Sequence, residues 1–214
     1  MSKEYRFIPW YSKVNEKAKY VFVGITPGNN QKVEEVDDTL ANKFKHAFDG
    51  MRKNIAEMIE CANNINNGLL QELIDVYKEK DEINKLFEYN SESIVDFTSL
   101  LKNATYELNG KMFNKPKKIM KEEELNSEYK NGFLNDWIKY YSNDVVFIAC
   151  GRQVYNVLIR AQRNNEKLGR TTIIPIVHPS GNAQRYIKLY LKGEYPSSGK
   201  WEYWTLWKEC KNNW

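Results

Sequence analysis

Two short segments constrain this chain more than any other feature. Residues 20–30 read YVFVGITPGNN, and residues 171–181 read TTIIPIVHPSG. Each is an apolar, β-branched run that ends in a tight turn of Gly, Pro or Ser with polar groups. This pattern is typical of a parallel strand that carries functional groups at its carboxyl end. The two turns therefore predict one pocket built from the ends of two strands.

The composition indicates a globular chain of one domain. With 214 residues, 42% of them hydrophobic and 14% aromatic, the chain can bury a full core. Its apolar runs are much shorter than the roughly 20 residues that a membrane span requires, and residues 1–20 lack the apolar stretch of a signal peptide. We therefore expect a cytoplasmic protein that does not enter a membrane.

The three cysteines, Cys61, Cys150 and Cys210, are widely spaced. Neither a disulfide framework nor a metal or cluster site with CxxC spacing is supported by them. We expect ordinary thiols, no metal and no cofactor.

Positive charge is concentrated in the second part of the chain. Residues 129–214 carry 13 Lys/Arg and 6 Asp/Glu, whereas residues 1–128 carry 19 and 22. Many of these basic residues flank the second segment, and residues 111–121 add a run of lysines without acids. Such patches suit a phosphate backbone, and a solvated basic face is the alternative interpretation.

Four strands and intervening helices are predicted from the hydrophobic pattern. The strands cover residues 20–25, 93–100, 144–151 and 171–178. Residues 43–65 and 153–164 have apolar residues at helical spacing. The alternation predicts an α/β fold, a three-layer sandwich in which helices flank a central four-stranded parallel sheet. Residues 34–89 are too long for one crossover and are predicted to form a helical insertion of two or three helices.

The turn GITPG at residues 24–28 and the turn HPSG at residues 178–181 resemble the two signature motifs of the uracil-DNA glycosylase superfamily. VDFTSLLKNA at residues 95–104 looks like the second strand of that superfamily, and VVFIACGRQVYNVL at residues 145–158 looks like its third strand, glycine turn and helix. The resemblance covers all four predicted strands in order, but not residues 31–89.

The resemblance implies a DNA N-glycosylase, in which a nucleotide is flipped out of the duplex and its glycosidic bond is cut by water. Thr26 would position the water, and His178 would donate a hydrogen bond to the departing base. Ser180 and the backbone after it would hold a phosphate at the start of a helix beginning near residue 182. The residues assigned to substrate and DNA binding are Gly24, Ile25, Pro27, Gly28, Asn29, Asn30, Ser99, Pro179, Ser180, Gly181, Asn182 and Arg185.

Two positions depart from the superfamily pattern. Thr26 stands where Asp or Asn is common, and a hydroxyl is a poor general base. Thr98 or Ser99 stands where an Asn usually reads the base edge, a change that alters which base fits. Asn29 and Asn30 could supply the missing amide groups.

The remaining candidates have structural interpretations. His46 lies in a helical pattern and is predicted to be a packing or surface residue. Phe44 and Phe48 could stack on a flipped base, but their helical spacing favours the core. The turn at Gly151 and Arg152 is predicted to be structural.

Three functions follow from these patterns. The first is a DNA glycosylase-like enzyme that acts as a monomer, without cofactor or partner subunit. The second is a catalytically weak member of the same superfamily that binds nucleic acid without excising a base. The third is a hydrolase of free nucleosides or nucleotides. The sequence contains no GxSxG motif, and neither GxxxxGK[ST] nor GxGxxG follows the first strand. It therefore gives little support to a serine hydrolase, a P-loop nucleotide hydrolase or a dinucleotide-dependent enzyme.

Overall fold

The computed structural model describes residues 6–7, 11–26, 38–101, 106–108, 111–113, 122–141, 144–165, 168 and 171–193. Within these ranges the strands are β1 (Arg6–Phe7), β2 (Tyr20–Gly24), β3 (Val95–Ser99), β4 (Tyr106–Leu108), β5 (Lys111–Phe113), β6 (Val146–Cys150) and β7 (Thr172–Ile176). Strands β2, β3, β6 and β7 form one parallel sheet in the order β3-β2-β6-β7. All four predicted strands are confirmed, each shorter by one to three residues.

The helices precede or follow these strands in the alternation that the sequence predicts. They are α1 (Leu40–His46), α2 (Arg52–Ile65), α3 (Gln71–Tyr77), α4 (Glu122–Tyr129), α5 (Asn135–Tyr140), α6 (Arg152–Asn164) and α7 (Gln184–Lys192). Two 3₁₀-helices, Lys80–Phe87 and Gly181–Ala183, and one π-helical turn, Lys130–Leu134, complete the described elements. None of the helices in these ranges is long and apolar enough to cross a membrane.

Helices cover both faces of the parallel sheet. On one face, Phe97 of β3 packs against Phe22 of β2, with ring centroids 5.4 Å apart, and against Phe44 of α1 at 5.0 Å. On the other face, Phe147 of β6 packs against Trp137 of α5 at 4.5 Å. Alternate strand residues therefore serve two separate aromatic cores. The predicted three-layer α/β sandwich is confirmed.

The segment at residues 34–89 contributes three α-helices and one 3₁₀-helix to the described part of the fold. Helix α1 packs against β3, and α2 packs against β7 and α7. Since β3 and β7 are the two edges of the sheet, these helices extend across the sheet from one edge to the other. Whether the segment is an insertion relative to the superfamily stays a prediction.

Two features of the fold differ from the sequence-based expectation. The helix predicted over residues 43–65 is divided into α1 and α2 by a turn in which Phe48 and Gly50 have φ angles of 49° and 70°. A left-handed residue cannot continue an α-helix. A second sheet, antiparallel and ordered β1-β4-β5, was not predicted, because strands of two or three residues leave no detectable pattern.

A buried ion pair ties α1 to strand β3. Nζ of Lys43 lies 2.6 Å from Oδ1 of Asp96, and their side chains are 3% and 0% exposed. Oδ2 of Asp96 accepts from the Tyr141 hydroxyl at 2.9 Å and from the Asn15 backbone N–H at 3.0 Å. The carboxylate thus has a counter-charge and further donors, which offsets the cost of burying it.

Candidate functional site

The carboxyl ends of the four parallel strands lie along one edge of the sheet. In the register, Gly24 of β2 pairs with Ser99 of β3, and Cys150 of β6 pairs with Ile176 of β7. From β2 the chain continues to β3 at one edge of the sheet, and from β6 it continues to β7 at the opposite edge. The direction of the strand order therefore reverses between β2 and β6. Crevices that bind ligands form at such a reversal. The turns after β2 and β7 flank the end of β6, about 10 Å apart at two strand spacings.

The turn after β2 is held to the end of β3 by backbone hydrogen bonds. The N–H of Leu100 donates to the carbonyl of Gly24 at 2.9 Å, and the N–H of Leu101 donates to the carbonyl of Ile25 at 3.0 Å. Ile25 packs against the core, and Thr26 is half-buried at the edge. The other predicted residues of this turn lie outside the described residues: Pro27, Gly28, Asn29 and Asn30.

The space where a side chain of residue 24 would lie is bounded by a hydroxyl and an aromatic ring. A Cβ placed on Gly24 would lie 3.6 Å from Oγ of Ser99 and 3.9 Å from Cζ of Phe48. Ser99 is buried, and Phe48 is half-buried with its ring beside Phe22 and Phe97. Phe44, by contrast, is fully buried. The expectation that both aromatic residues belong to the core is confirmed for Phe44, whereas Phe48 also borders the site.

Phe48 has a left-handed backbone, with φ of 49°. Such a conformation costs a bulky residue about 1–2 kcal/mol, and it persists only where the surroundings impose it. Arg52 holds the end of α1 immediately before Phe48. Its guanidinium donates to the carbonyls of Phe44, Lys45 and Ala47 at the end of α1, and it lies 4.2 Å from the centroid of the Phe87 ring.

His178 follows β7 and lies against the end of β6. A Cβ on Gly151 would lie 3.4 Å from Cβ of His178, so glycine at this position allows the close approach. The backbone N–H of Ser180 donates to Nδ1 of His178 at 3.3 Å. An imidazole that accepts at Nδ1 carries its proton at Nε2. Burial lowers the pKa of His178 below its usual 6.5, which favours the neutral ring.

This pKa predicts a pH dependence of stability. Because burial holds the pKa of His178 below 6.5 in the folded protein, the unfolded chain binds this proton first as pH falls. We expect the contribution of neutral His178 to be intact above pH 6.5 and to be lost progressively as pH falls through the lower, folded pKa. Urea unfolding at several pH values between 8 and 5 measures this. The His178→Gln variant should show a shallower decline, and equal slopes in the two proteins would contradict the assignment.

Two glycines near His178 make a matched pair for mutation. Gly151 has φ 108° and ψ 155°, a region that is essentially restricted to glycine, whereas a Cβ on Gly181 would meet nothing within 4 Å. We expect Gly151→Ala to lower the free energy of unfolding by about 1–3 kcal/mol, and Gly181→Ala to change it by less than about 0.5 kcal/mol. Thermal or urea unfolding of the two variants checks this. A neutral Gly151→Ala would show that the backbone at the end of β6 is not constrained.

The rest of the turn after β7 is hydrogen-bonded to helix α2. Pro179 is buried, and its carbonyl accepts from Nδ2 of Asn54 at 2.7 Å. Ser180 is half-buried, and Gly181 and Asn182 are exposed. The 3₁₀-helix Gly181–Ala183 leads directly into α7, which confirms the helix start predicted near residue 182.

Exposed basic residues continue from this turn. Arg185 and Lys188, three residues apart, and Lys192 one turn further are exposed on α7. Arg152 at the start of α6 is half-buried.

His46 stacks on Tyr11, with ring centroids 6.2 Å apart, which confirms its predicted packing role.

Sequence reasoning missed Asn54 and Arg52, and it assigned Phe48 to the core. All three belong to the segment that carries no motif, and their roles depend on contacts with residues distant in the sequence. Among the described residues, no group of three or more His, Cys, Asp or Glu side chains is placed to hold a metal ion.

No protein-family model, curated protein or solved structure matches this chain.

Proposed function

We propose that this chain is a DNA N-glycosylase that releases a uracil, mismatched or modified base after flipping it into the crevice at the carboxyl edge of the sheet. The observation that carries the proposal is the hydrogen bond from the Ser180 N–H to Nδ1 of His178, which places the ring hydrogen at Nε2. The proposed reaction requires no cofactor and no partner subunit, and the chain would act as a monomer.

The chemical role of His178 follows from charge development on the leaving base. When water attacks the sugar carbon, a C–O bond forms and the C–N glycosidic bond breaks; its electron pair moves onto the base, and negative charge collects on the carbonyl oxygen of the base. The water loses its proton to solvent, and the departed base takes up a proton from solvent. A preorganised N–H donor stabilises this charge as it forms. Because the neutral ring donates a hydrogen bond and keeps its hydrogen, it does not have to be protonated again after the base departs.

The two side chains beside Gly24, Phe48 and Ser99, suit a planar ligand. The half-buried ring of Phe48 offers a stacking surface, and the Ser99 hydroxyl can donate or accept one hydrogen bond. A flipped base is typically held by stacking and by hydrogen bonds to its edge. A single hydroxyl makes fewer edge contacts than an amide, and the proposed enzyme would therefore select its base mainly by shape.

Thr26 makes the proposed hydrolysis depend on the leaving group. A threonine hydroxyl does not take a proton from water at neutral pH, so it can orient the nucleophile but not activate it. Stabilisation of the departing base would then supply most of the rate. This residue also motivates the second candidate, a chain that binds a flipped nucleotide without cutting it.

The exposed basic residues of α7 give the proposed enzyme a surface for the phosphate backbone. Each phosphate contact that is lost should reduce the salt slope of DNA binding by about 1. We expect Arg185→Ala and Lys188→Ala to weaken binding to every oligonucleotide alike and to flatten log Kd against log salt. Fluorescence anisotropy at several salt concentrations measures this, with the exposed Lys85→Ala, on the separate Lys80–Phe87 helix, as the control. Unchanged slopes in the α7 variants would place the DNA elsewhere.

Base release tests the proposal as a whole. The purified protein is incubated with single- and double-stranded oligonucleotides that carry uracil, mismatched thymine, hypoxanthine, or hydroxymethylated or glucosylated cytosine, and abasic sites are revealed by alkaline cleavage. Cleavage at one of these bases is the expected result. Salt-sensitive binding without cleavage would favour the non-hydrolytic candidate, and turnover of free nucleosides alone would favour the small-molecule hydrolase.

A further inference from the structure

Asn54 joins three segments around the turn that carries His178. It lies in the first turn of α2, and its Nδ2 donates to the carbonyl of Pro179 at 2.7 Å. Its Oδ1 accepts from Nε2 of Gln184, the first residue of α7, at 3.1 Å. One side-chain amide therefore connects α2, the turn after β7 and the start of α7.

An amide is the group that this position requires. The carbonyl of Pro179 needs a donor, and the Gln184 amide nitrogen needs an acceptor. Asn supplies both from one rigid group, whereas Asp can only accept and Leu can do neither. Proline has no N–H of its own, so the Pro179 carbonyl is the one backbone group by which this residue can be held.

The orientation of the peptide group between Pro179 and Ser180 determines the hydrogen bond that His178 accepts. Ser180 follows Pro179 directly, and its N–H belongs to the peptide whose carbonyl Asn54 holds. That N–H is the donor to Nδ1 of His178 at 3.3 Å. Because a peptide group is planar, fixing its carbonyl fixes the direction of its N–H.

We propose that Asn54 is a positioning residue of the site: by holding the Pro179 carbonyl, it aims the Ser180 N–H at Nδ1 of His178 and keeps the imidazole hydrogen at Nε2. The value of that hydrogen to catalysis rests on the proposed function, whereas the geometry of the ring does not. Asn54 touches neither His178 nor the reacting atoms in this account. Its effect passes through one peptide group.

Nitrogen NMR of the imidazole tests this inference without any substrate. The chain has two histidines, His46 and His178, so a His46→Gln sample assigns the signals. At pH 8 we expect His178 to be mainly the Nε2–H tautomer. In Asn54→Leu and in Asn54→Asp the ratio of the two tautomers should fall about fivefold, since one hydrogen bond of ordinary net strength no longer orients the peptide.

Three comparisons separate positioning from a general loss of structure. Asn54→Asp keeps the shape and the bond from Gln184 but cannot donate to Pro179, and thermal unfolding checks that this variant is folded. Gln184→Leu should shift the tautomer ratio less than either Asn54 variant. Lys53→Leu, an exposed neighbour in the same turn, should leave the ratio unchanged. Folded Asn54 variants with the wild-type tautomer ratio would overturn the inference.

A kinetic measurement on the base that the release assay identifies provides the second readout. A positioning role predicts that Asn54→Asp lowers kcat by no more than about fivefold, the factor by which the tautomer ratio falls, with KM changed less than twofold, since the interaction is realised at the departing base. A raised KM with unchanged kcat would contradict it. If no oligonucleotide releases a base, the proposed function fails, while the tautomer ratio still decides the role of Asn54.

Discussion

Replacing Asp96 with Asn is expected to lower the free energy of unfolding by about 3–5 kcal/mol, because the variant leaves a buried ammonium group without its counter-charge. Nζ of Lys43 lies 2.6 Å from Oδ1 of Asp96, and both side chains are almost completely buried. The Asn side chain keeps the size of Asp, and its one oxygen can still accept from the Tyr141 hydroxyl and the Asn15 N–H. Its NH2 group then faces the Lys43 ammonium, where Asp96 had an acceptor. The loss therefore reports on the charge together with the hydrogen bond that carries it. Urea unfolding followed by circular dichroism measures it.

The double variant Asp96→Asn/Lys43→Met is the matched control for this prediction. Removing both charges eliminates the desolvation cost that the single variant exposes, and buried pairs replaced in this way are often close to neutral. We expect the double variant to recover most of the stability that Asp96→Asn loses. Equal losses in the single and double variants would show that the ion pair is not the source of the effect. A loss below about 1 kcal/mol in the single variant would indicate a solvated pair.

Replacing His178 with Gln is expected to lower the rate of base release by about 10²–10³-fold, the effect of removing one preorganised donor from a developing negative charge. Gln retains an N–H donor, but its side chain has one more rotatable bond than His, so the donor is not held in place in advance. The loss should appear in the rate constant of base release under single-turnover conditions. The free energy of unfolding at pH 8 should change little in this variant, since His178 is half-buried at the edge of the sheet and is not part of its core.

Thr26→Ala provides the comparison within the same site. If stabilisation of the leaving group supplies most of the rate, Thr26→Ala should slow release by less than about 10-fold, below the roughly 10²–10⁴-fold that a general base contributes. Thr26→Asn introduces an amide, which with Asp is common in the glycosylase motif that GITPG resembles, and it should raise the rate. A larger loss for Thr26→Ala than for His178→Gln would reverse the proposed division of roles.

Much of the fold was predictable because its strands are buried on both faces. Val21, Phe22 and Val23 are wholly buried, and such continuous apolar runs mark parallel strands in the sequence itself. The turns after them contain Gly, Pro and Ser, whose conformational restrictions are local. Strand positions and the edge that carries Thr26 and His178 follow from these local signals.

The unpredicted features depend on contacts between distant parts of the chain. Asp96 lies in an apolar run and Lys43 in an amphipathic helix, and nothing in either segment indicates that they pair. The break between α1 and α2 has one local signal, Gly50 with φ of 70°, whereas nothing in the sequence indicates that Phe48 beside it has a left-handed backbone. Asn54 likewise has meaning only once α2 lies beside the turn after β7.

The most direct test of the central claim is to quantify both products of glycosidic cleavage. The wild-type protein, in excess over each oligonucleotide, is incubated to a single turnover, and free base and abasic strand are measured by mass spectrometry. We expect equal amounts of the two products from one modified or mismatched base, and the loss of both in His178→Gln. Bound oligonucleotides that yield neither product would contradict it.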